Sequence, residues 1–294
     1  MGFLQRNRTA IAVIAVILAL VGCFALLLSR PAAAQKGKVL VIKGSDTMVV
    51  LSQAWAEAFM AANPGSFVSV TGGGSGTGMA ALLNGTCDIA NSSRPMSLRE
   101  SEQSKQRNLR LYIAPCALDG LAIAVHTSNP IQNITLQELA GIFTGKITDW
   151  SQLKLPAGRI VALSRESNSG THVYFKERVL KNAPYGSSAL FLPSTKSIQQ
   201  EISNNRFAIG YGGEAYFKNK PNVKLLAVAP KRGMPPIFPT NTNVSNGTYP
   251  IARELYMFTP GRNNKLVTDF INFCRSPRGQ EIVVRIGYVP MTFK

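Results

Sequence analysis

Four times in this chain an apolar run that reads as a strand ends in Ser, Thr and Gly residues and passes into a helical pattern. Val39-Leu40-Val41-Ile42 runs into Lys43-Gly44-Ser45-Asp46-Thr47, then into a helix from Met48 to Ala61 with Leu51, Trp55, Ala58 and Phe59 at helical spacing. Phe67-Val68-Ser69-Val70-Thr71 alternates like a strand, opens into Gly72-Gly73-Gly74-Ser75-Gly76-Thr77-Gly78 and meets a short helix from Met79 to Leu83. Cys87-Asp88-Ile89-Ala90 leads into the turn Asn91-Ser92-Ser93-Arg94-Pro95, after which Ser97 and Glu100 form a capping-box start. Arg159-Ile160-Val161-Ala162-Leu163 leads into Ser164-Arg165-Glu166-Ser167-Asn168-Ser169-Gly170-Thr171-His172 and a helix from Val173 to Leu180. This is the βαβ rhythm of an open α/β sheet, whose ligands sit outside the carboxyl ends of the strands. The first turn of a helix carries N–H groups with no internal acceptor and a partial positive charge. Small hydroxyl donors and an Arg at such a place point to an anion, foremost a tetrahedral oxyanion such as phosphate.

The remaining pattern predicts a chain that leaves one lobe, builds a second and returns. Leu111 to Pro115 and Gly120 to Val125 read as strands flanking Cys116, with the first crossover nearby. Thr135 and Glu138 form a capping box for a helix from Leu136 to Phe143. A helix near Lys196 to Ser203 and strands at Arg206 to Tyr211 and Val223 to Val228 follow. The Pro-rich Met234-Pro235-Pro236-Ile237-Phe238-Pro239 reads as the return crossover. A strand from Arg253 to Thr259 and helices at Lys265 to Cys274 and Gly279 to Ile286 close the first lobe. The expected division is residues 35–115 plus 237–294 for one lobe and 116–236 for the other, with a two-strand hinge and a cleft between them.

Among 294 residues, 32 Lys and Arg face 15 acids, a formal charge of +17. Such a charge fits nucleic acid, an anionic surface or an anionic ligand. The basic residues are scattered, and no aromatic-basic RNA motif occurs, so nucleic acid is not the expected partner. Residues 1–34 read as an export signal: Arg6 and Arg8, an uncharged apolar run from Thr9 to Ser29, then Ala32-Ala33-Ala34 for cleavage. An uncleaved membrane anchor, or lipidation at Cys23 within Leu20-Val21-Gly22-Cys23, is the alternative. All three place the body of the chain outside the cytoplasm. Cleavage after Ala34 removes Arg6, Arg8 and Arg30 with no acid, so +17 becomes +14. It leaves Cys87, Cys116 and Cys274, enough for at most one internal disulfide. Their spacing fits no zinc pattern, and small buried hydrophobes is an equally good reading of each.

Enzyme readings fare poorly. Gly72 to Gly78 lacks the Gly-Lys-Ser/Thr of a Walker loop and the setting of a dinucleotide fingerprint. Gly74-Ser75-Gly76 lacks the spacing of a nucleophile elbow. Only His126 and His172 are present, too few for a hydrolase reading to rest on. Arg94 and Arg165 each follow a strand among hydroxyls, and the guanidinium fork suits an oxyanion. A micromolar complex needs about −8 kcal/mol, and a hydrogen bond to a charged group contributes roughly 1.5–3 kcal/mol. Several donors must therefore converge, as four loops from four strand ends would allow.

These loops resemble those of the periplasmic phosphate-binding proteins of phosphate-specific ABC transporters. The resemblance rests on Gly44-Ser45-Asp46-Thr47-Met48, Gly73-Gly74-Ser75-Gly76-Thr77-Gly78, Asp88-Ile89-Ala90-Asn91-Ser92-Ser93-Arg94-Pro95 and Ser164-Arg165 with Ser169-Gly170-Thr171. Ile142-Phe143 with Gly145, Ile147 and Trp150, and Ser245-Asn246-Gly247-Thr248-Tyr249-Pro250, look like its structural signatures. It implies a type II periplasmic-binding-protein fold of two α/β lobes. It implies a non-catalytic monomer, without cofactor or metal, that delivers phosphate to the membrane permease subunits. Thr47 and Ser75 would bind phosphate from one lobe through hydroxyl and backbone N–H, and Arg165, Ser169, Gly170 and Thr171 from the other. Ser45, Met48, Ser93 and Arg94 complete the expected set. Many members have Ala-Ser-Asp where this chain has Asn91-Ser92-Ser93-Arg94; that Asp accepts the proton of monohydrogen phosphate, which sulfate lacks. Asp46, Asp88 and Glu166 are the candidates to replace it, Asp46 first. A sulfate- or molybdate-like oxyanion binder is the alternative within the class, and a secreted phosphatase the alternative outside it.

Overall fold

The computed structural model describes residues 39–261 and 264–293. The export segment, residues 1–34, with its cleavage, anchoring or lipidation, lies outside the described residues. The chain begins with strand β1 (Val39–Gly44), a 3-10 turn (Asp46–Met48) and helix α1 (Val49–Ala62). Next come β2 (Phe67–Gly73), α2 (Ser75–Leu83), β3 (Ile89–Ser92), α3 (Leu98–Gln106) and the long β4 (Tyr112–His126). They are followed by β5 (Asn133–Thr135), α4 (Leu136–Phe143), β6 (Val161–Arg165), α5 (Gly170–Arg178) and β7 (Leu190–Leu192). Then come α6 (Thr195–Asn204), β8 (Ala208–Gly213), β9 (Val223–Ala229) and α7 (Asn241–Ser245). The described chain closes with β10 (Ala252–Thr259), α8 (Lys265–Arg275) and α9 (Pro277–Ile286).

The strands form one curled mixed sheet in the order β2-β1-β3-β10-β4-β8-β6-β7, with β9 beside β4 and β5. β4 runs through both halves. Its first part pairs antiparallel with β10, and its second part with β8 and β9. The two strands expected on either side of Cys116 are thus one strand. Pro115, which has no N–H to give the ladder, is accommodated by a bulge. The register slips where Leu255 pairs with Ala117 and Tyr256 with Pro115, so Cys116 is the extra residue of a bulge. Its thiol is buried and donates to the Leu255 carbonyl at 3.3 Å.

From Leu121 to Val125 every residue of β4 is fully buried. Leu121, Ile123 and Val125 face one apolar core with Phe143, Phe175 and Tyr211, while Ala122 and Ala124 face another with Leu163, Ile198 and Ile202. That is why this stretch reads as a continuous apolar run rather than an alternating one. The opposite half of the sheet carries its own core of Leu40, Ile42, Trp55, Phe59, Leu255 and Phe270. Trp55 is sealed under α9, its indole N–H donating to Gly279 O at 2.8 Å. Burying a side chain of this size contributes roughly 1.5–3 kcal/mol through lost apolar surface.

Helices α2 and α5 begin earlier than their apolar residues indicate, at Ser75 and Gly170. In α5 the Ser169 hydroxyl accepts from Thr171 N and His172 N, and this cap starts the helix inside the polar loop. Among the described residues Cys87, Cys116 and Cys274 are all buried and form no disulfide with one another. Burial pushes the Cys87 thiol up to about 11, even against nearby Lys43.

Candidate functional site

Close backbone contact brings the strand ends together. At Gly44, φ is +135° and a Cβ would lie 2.2 Å from the Asn91 carbonyl oxygen, so glycine alone lets β1 and β3 end side by side. Ser45 N then donates to Asn91 O at 2.8 Å, and Gly74 N to Gly44 O at 2.9 Å. The loops after β1, β2 and β3 are thereby fixed to one another. The loop after β6 meets them from the other half: Gly76 N donates to Asn168 O at 3.0 Å, and Asn168 Nδ2 to Gly73 O at 3.0 Å.

A buried cluster of hydroxyls sits where these loops meet. Thr47 Oγ1 lies 2.9 Å from Thr171 Oγ1. Ser75 Oγ accepts from Ser93 N at 3.1 Å and lies 3.3 Å from Ser93 Oγ. Gly170 closes the group, since a Cβ there would be 2.3 Å from Ser75 Oγ and 2.7 Å from Ser93 Oγ. Thr47, Ser75, Ser93, Ser169 and Thr171 are each no more than 2% exposed. Ser75 and Gly170 are the first residues of α2 and α5, so two helix N-termini, with the partial positive charge of their dipoles, meet at the cluster; the Gly76 N–H is taken by Asn168 O and the Thr171 and His172 N–H groups by the Ser169 cap. Hydroxyls, backbone N–H groups and helix dipoles in an enclosed space form a receptor for an oxyanion.

Several of the residues marked out by sequence have other engagements. The Arg165 guanidinium is buried and bridges the halves, donating to Asp46 Oδ2 and Thr195 Oγ1, each at 2.9 Å. It also donates to the carbonyls of Leu192 and Pro193 at 3.2 and 2.8 Å. Burial pulls its pKa down, and the Asp46 carboxylate opposes that pull. Asp46 Oδ2 accepts in addition from Thr195 N at 2.9 Å, at the start of α6. The Arg94 fork is held by Glu100, with NH1 and NH2 at 2.8 and 2.7 Å from the two carboxylate oxygens. Burial raises the Glu100 pKa, but hydrogen bonds from Arg94 and Ser97 prevail and hold it below its ordinary value. Asp88 accepts from Val41 N at 2.8 Å within the sheet, and Glu166 is exposed. Met48 packs its side chain in the core, and its N–H donates to Ser45 O at 3.1 Å. His172 Nδ1 lies 2.7 Å from Arg165 O, which requires the proton on that nitrogen. The nitrogen facing Ser164, at 3.5 Å, is therefore no base for its hydroxyl.

Two charged residues at the cluster were not marked out by sequence. Asp119 on β4 and Arg253 on β10 are cross-strand partners in register, 1% and 6% exposed. Arg253 Nε and NH2 both donate to Asp119 Oδ2, at 3.0 and 2.8 Å. The same guanidinium donates to Ser93 O at 3.1 Å on one side of the cluster and to Thr171 Oγ1 at 3.0 Å on the other. Asp119 Oδ1 has no hydrogen-bond partner among the described residues.

Known proteins share this arrangement of elements. The family model described as a PBP superfamily domain matches residues 29–278. The phosphate-binding protein PstS of Pseudomonas aeruginosa is 33% identical over 268 residues, covering 85% of this chain and 82% of its own length. The chain belongs to the PstS family within the PBP superfamily. Protein SphX of Synechococcus elongatus is 34% identical over 275 residues, 90% of this chain and 81% of its own. A Clostridium perfringens crystal structure, described as a phosphate ABC transporter substrate-binding protein with bound phosphate, superposes with a TM-score of 0.79 at 28% identity. That comparison covers 87% of this chain and 100% of the other. The curled mixed sheet is accordingly the type II periplasmic-binding-protein fold of the PstS family. The Asp119–Arg253 pair carried a sequence signal of its own. An acid inside Cys116-Ala117-Leu118-Asp119-Gly120-Leu121-Ala122, flanked by buried residues, is a buried charge that needs a partner.

Proposed function

We propose that this protein binds inorganic phosphate outside the cytoplasm and delivers it to the permease subunits of an ABC transporter. The buried hydroxyl cluster at two helix N-termini carries the reading, and membership of the PstS family supports it. In this reading the ligand groups are the hydroxyls of Thr47, Ser75, Ser93, Ser169 and Thr171 with the N–H groups at the starts of α2 and α5. About three to five hydrogen bonds to a charged ligand, at roughly 1.5–3 kcal/mol each, reach the −8 kcal/mol of a micromolar complex before association costs. Ser45, Met48 and Arg94 shape the loops: the first two through the turn after β1, the last by pinning the Ser93 turn to Glu100. Arg165 and Asp46 hold the two halves together over the site.

Because the cluster is enclosed, the ligand enters when the halves of the sheet separate about β4 and β10. The lobe boundaries expected at 115/116 and 236/237 shift along the chain: Cys116 and Ala117 still pack with Leu40 and Trp55, and Val244, Tyr249 and Ile251 still pack with Phe143 and Tyr211, so the crossovers fall within β4 and just before β10. In this reading the protein is a monomeric carrier rather than a catalyst, and His172, with Nδ1 turned to the Arg165 carbonyl, serves the loop's structure. Export by the N-terminal segment, cleaved or retained, places it at the outer face of the membrane. Titration calorimetry on ligand-stripped protein tests the reading. One phosphate per chain bound in the micromolar range or tighter is expected; no measurable binding, or sulfate bound as well as phosphate, would contradict it.

A further inference from the structure

We infer that Asp119 is the residue that selects an oxyanion bearing a proton, and that Arg253 is the positioning residue that holds it there; this rests on reading the hydroxyl cluster as the phosphate site. An ionised carboxylate only accepts hydrogen bonds. Asp119 is 1% exposed, both bonds from Arg253 reach Oδ2, and Oδ1 has no donor among the described residues. Buried oxygens of this kind are rarely left unpaired unless something outside the chain supplies the donor.

The surroundings show where that donor would come from. Oδ1 opens onto the space left by the missing side chain of Gly213: a Cβ there would be 3.1 Å from Oδ1, 3.3 Å from Thr47 Cγ2 and 3.3 Å from the Tyr288 hydroxyl. Gly213 has φ −58°, which any residue adopts, so room rather than backbone freedom is what its glycine provides. Thr47 in turn touches Thr171, Thr171 accepts from Arg253, and Arg253 holds Asp119. These four side chains make a hydrogen-bonded series at the floor of the cluster, with Asp119 and Arg253 facing each other across β4 and β10. The other acids are engaged elsewhere: Asp46 on Arg165 and Thr195, Asp88 on Val41, Glu100 on Arg94. Monohydrogen phosphate has an O–H for Oδ1, whereas sulfate places a bare oxygen against a carboxylate. Arg253 offsets the Asp119 charge, so the floor accepts a proton without repelling the dianion.

The test compares ligands and variants by calorimetry on the full, ligand-stripped chain. Wild type should bind phosphate at least about a hundredfold more tightly than monofluorophosphate, which has nearly the same shape and charge but no O–H. A site built around a ligand hydroxyl rejects the analogue without it by large factors. Equal binding of the two would overturn the inference without any substitution. Asp119→Asn should lower the phosphate-to-sulfate preference roughly a hundredfold; a preference unchanged within about threefold in a folded variant would also overturn it. The double variant Asp119→Asn with Arg253→Gln keeps a neutral hydrogen-bonding pair should the single variant not fold, and should show the same lost preference. It overturns the inference if preference persists. Wild type that binds no phosphate at all would remove the reading of the site itself, a result distinct from intact phosphate binding with unaltered preference in the variants.

Discussion

Asp46→Asn separates a latch from a ligand contact. Asp46 stands on the turn after β1, and its Oδ2 takes one hydrogen bond from Arg165 and one from Thr195 N, both 2.9 Å long and both from the opposite half of the sheet. These bonds exist only while the halves are together, so they stabilise the closed form alone. Asn keeps an acceptor but removes the charge. Hydrogen bonds to charged groups contribute about 1.5–3 kcal/mol each, and the closed form should lose about one such bond. At 1.4 kcal/mol per tenfold, apparent affinity should fall roughly tenfold to 150-fold, because a less populated competent state weakens every ligand it binds. The Asp46 side chain is 18% exposed, which favours the lower part of that range. Calorimetry with phosphate, together with the radius of gyration from X-ray scattering with and without ligand, reads the effect. Weaker binding with an unchanged phosphate-to-sulfate preference is expected, and the free variant should scatter as the more open species. Affinity within threefold of wild type would refute the latch, and a collapsed preference would make Asp46 the proton acceptor instead.

Other substitutions probe the rest of the account. Gly170→Ala forces a methyl to within 2.3 Å of Ser75 Oγ and should abolish phosphate binding with little loss of melting temperature, since the clash arises only on closure; retained calorimetric binding would contradict it. Phe175→Ala removes a ring stacked 3.8 Å from Tyr211 in the second core and should cost about 3–5 kcal/mol in urea unfolding. Glu100 titrates below its ordinary 4.5 in the folded protein, so its ion pair with Arg94 stabilises the fold above that pH and is lost as pH falls through the depressed value. Glu100→Gln should accordingly flatten the acid limb of the stability profile followed by circular dichroism. Gly213→Ala should weaken phosphate binding by crowding Asp119 Oδ1, leaving thermal stability nearly unchanged.

Much of the site is legible because its chemistry is local. Thr47, Ser75, Ser93, Gly170 and Thr171 each lie in the short stretch where a strand end passes into the next helix, and a strand end that becomes a helix start announces itself in the residues on both sides. The partners of the arginines are not local. Arg165 meets Asp46 from 119 residues away, and Arg94 is claimed by a Glu100 whose only sequence sign was its place in a capping box. Guanidinium reach spans any of several neighbours, so its engagement is settled by packing. Asp119 and Arg253 lay in plain view as charges within strands, but only the antiparallel register of β4 on β10 makes them a pair. Pro115 read as the end of a strand, because a proline usually ends pairing; a bulge in the ladder lets β4 continue past it.

A crystal structure of the protein saturated with phosphate bears most directly on the function argued here. The anion should lie within hydrogen-bond distance of the Thr47, Ser75, Ser93 and Thr171 hydroxyls, with one of its oxygens facing Asp119 Oδ1. An anion bound elsewhere, or the hydroxyl cluster empty at saturating phosphate, would contradict it.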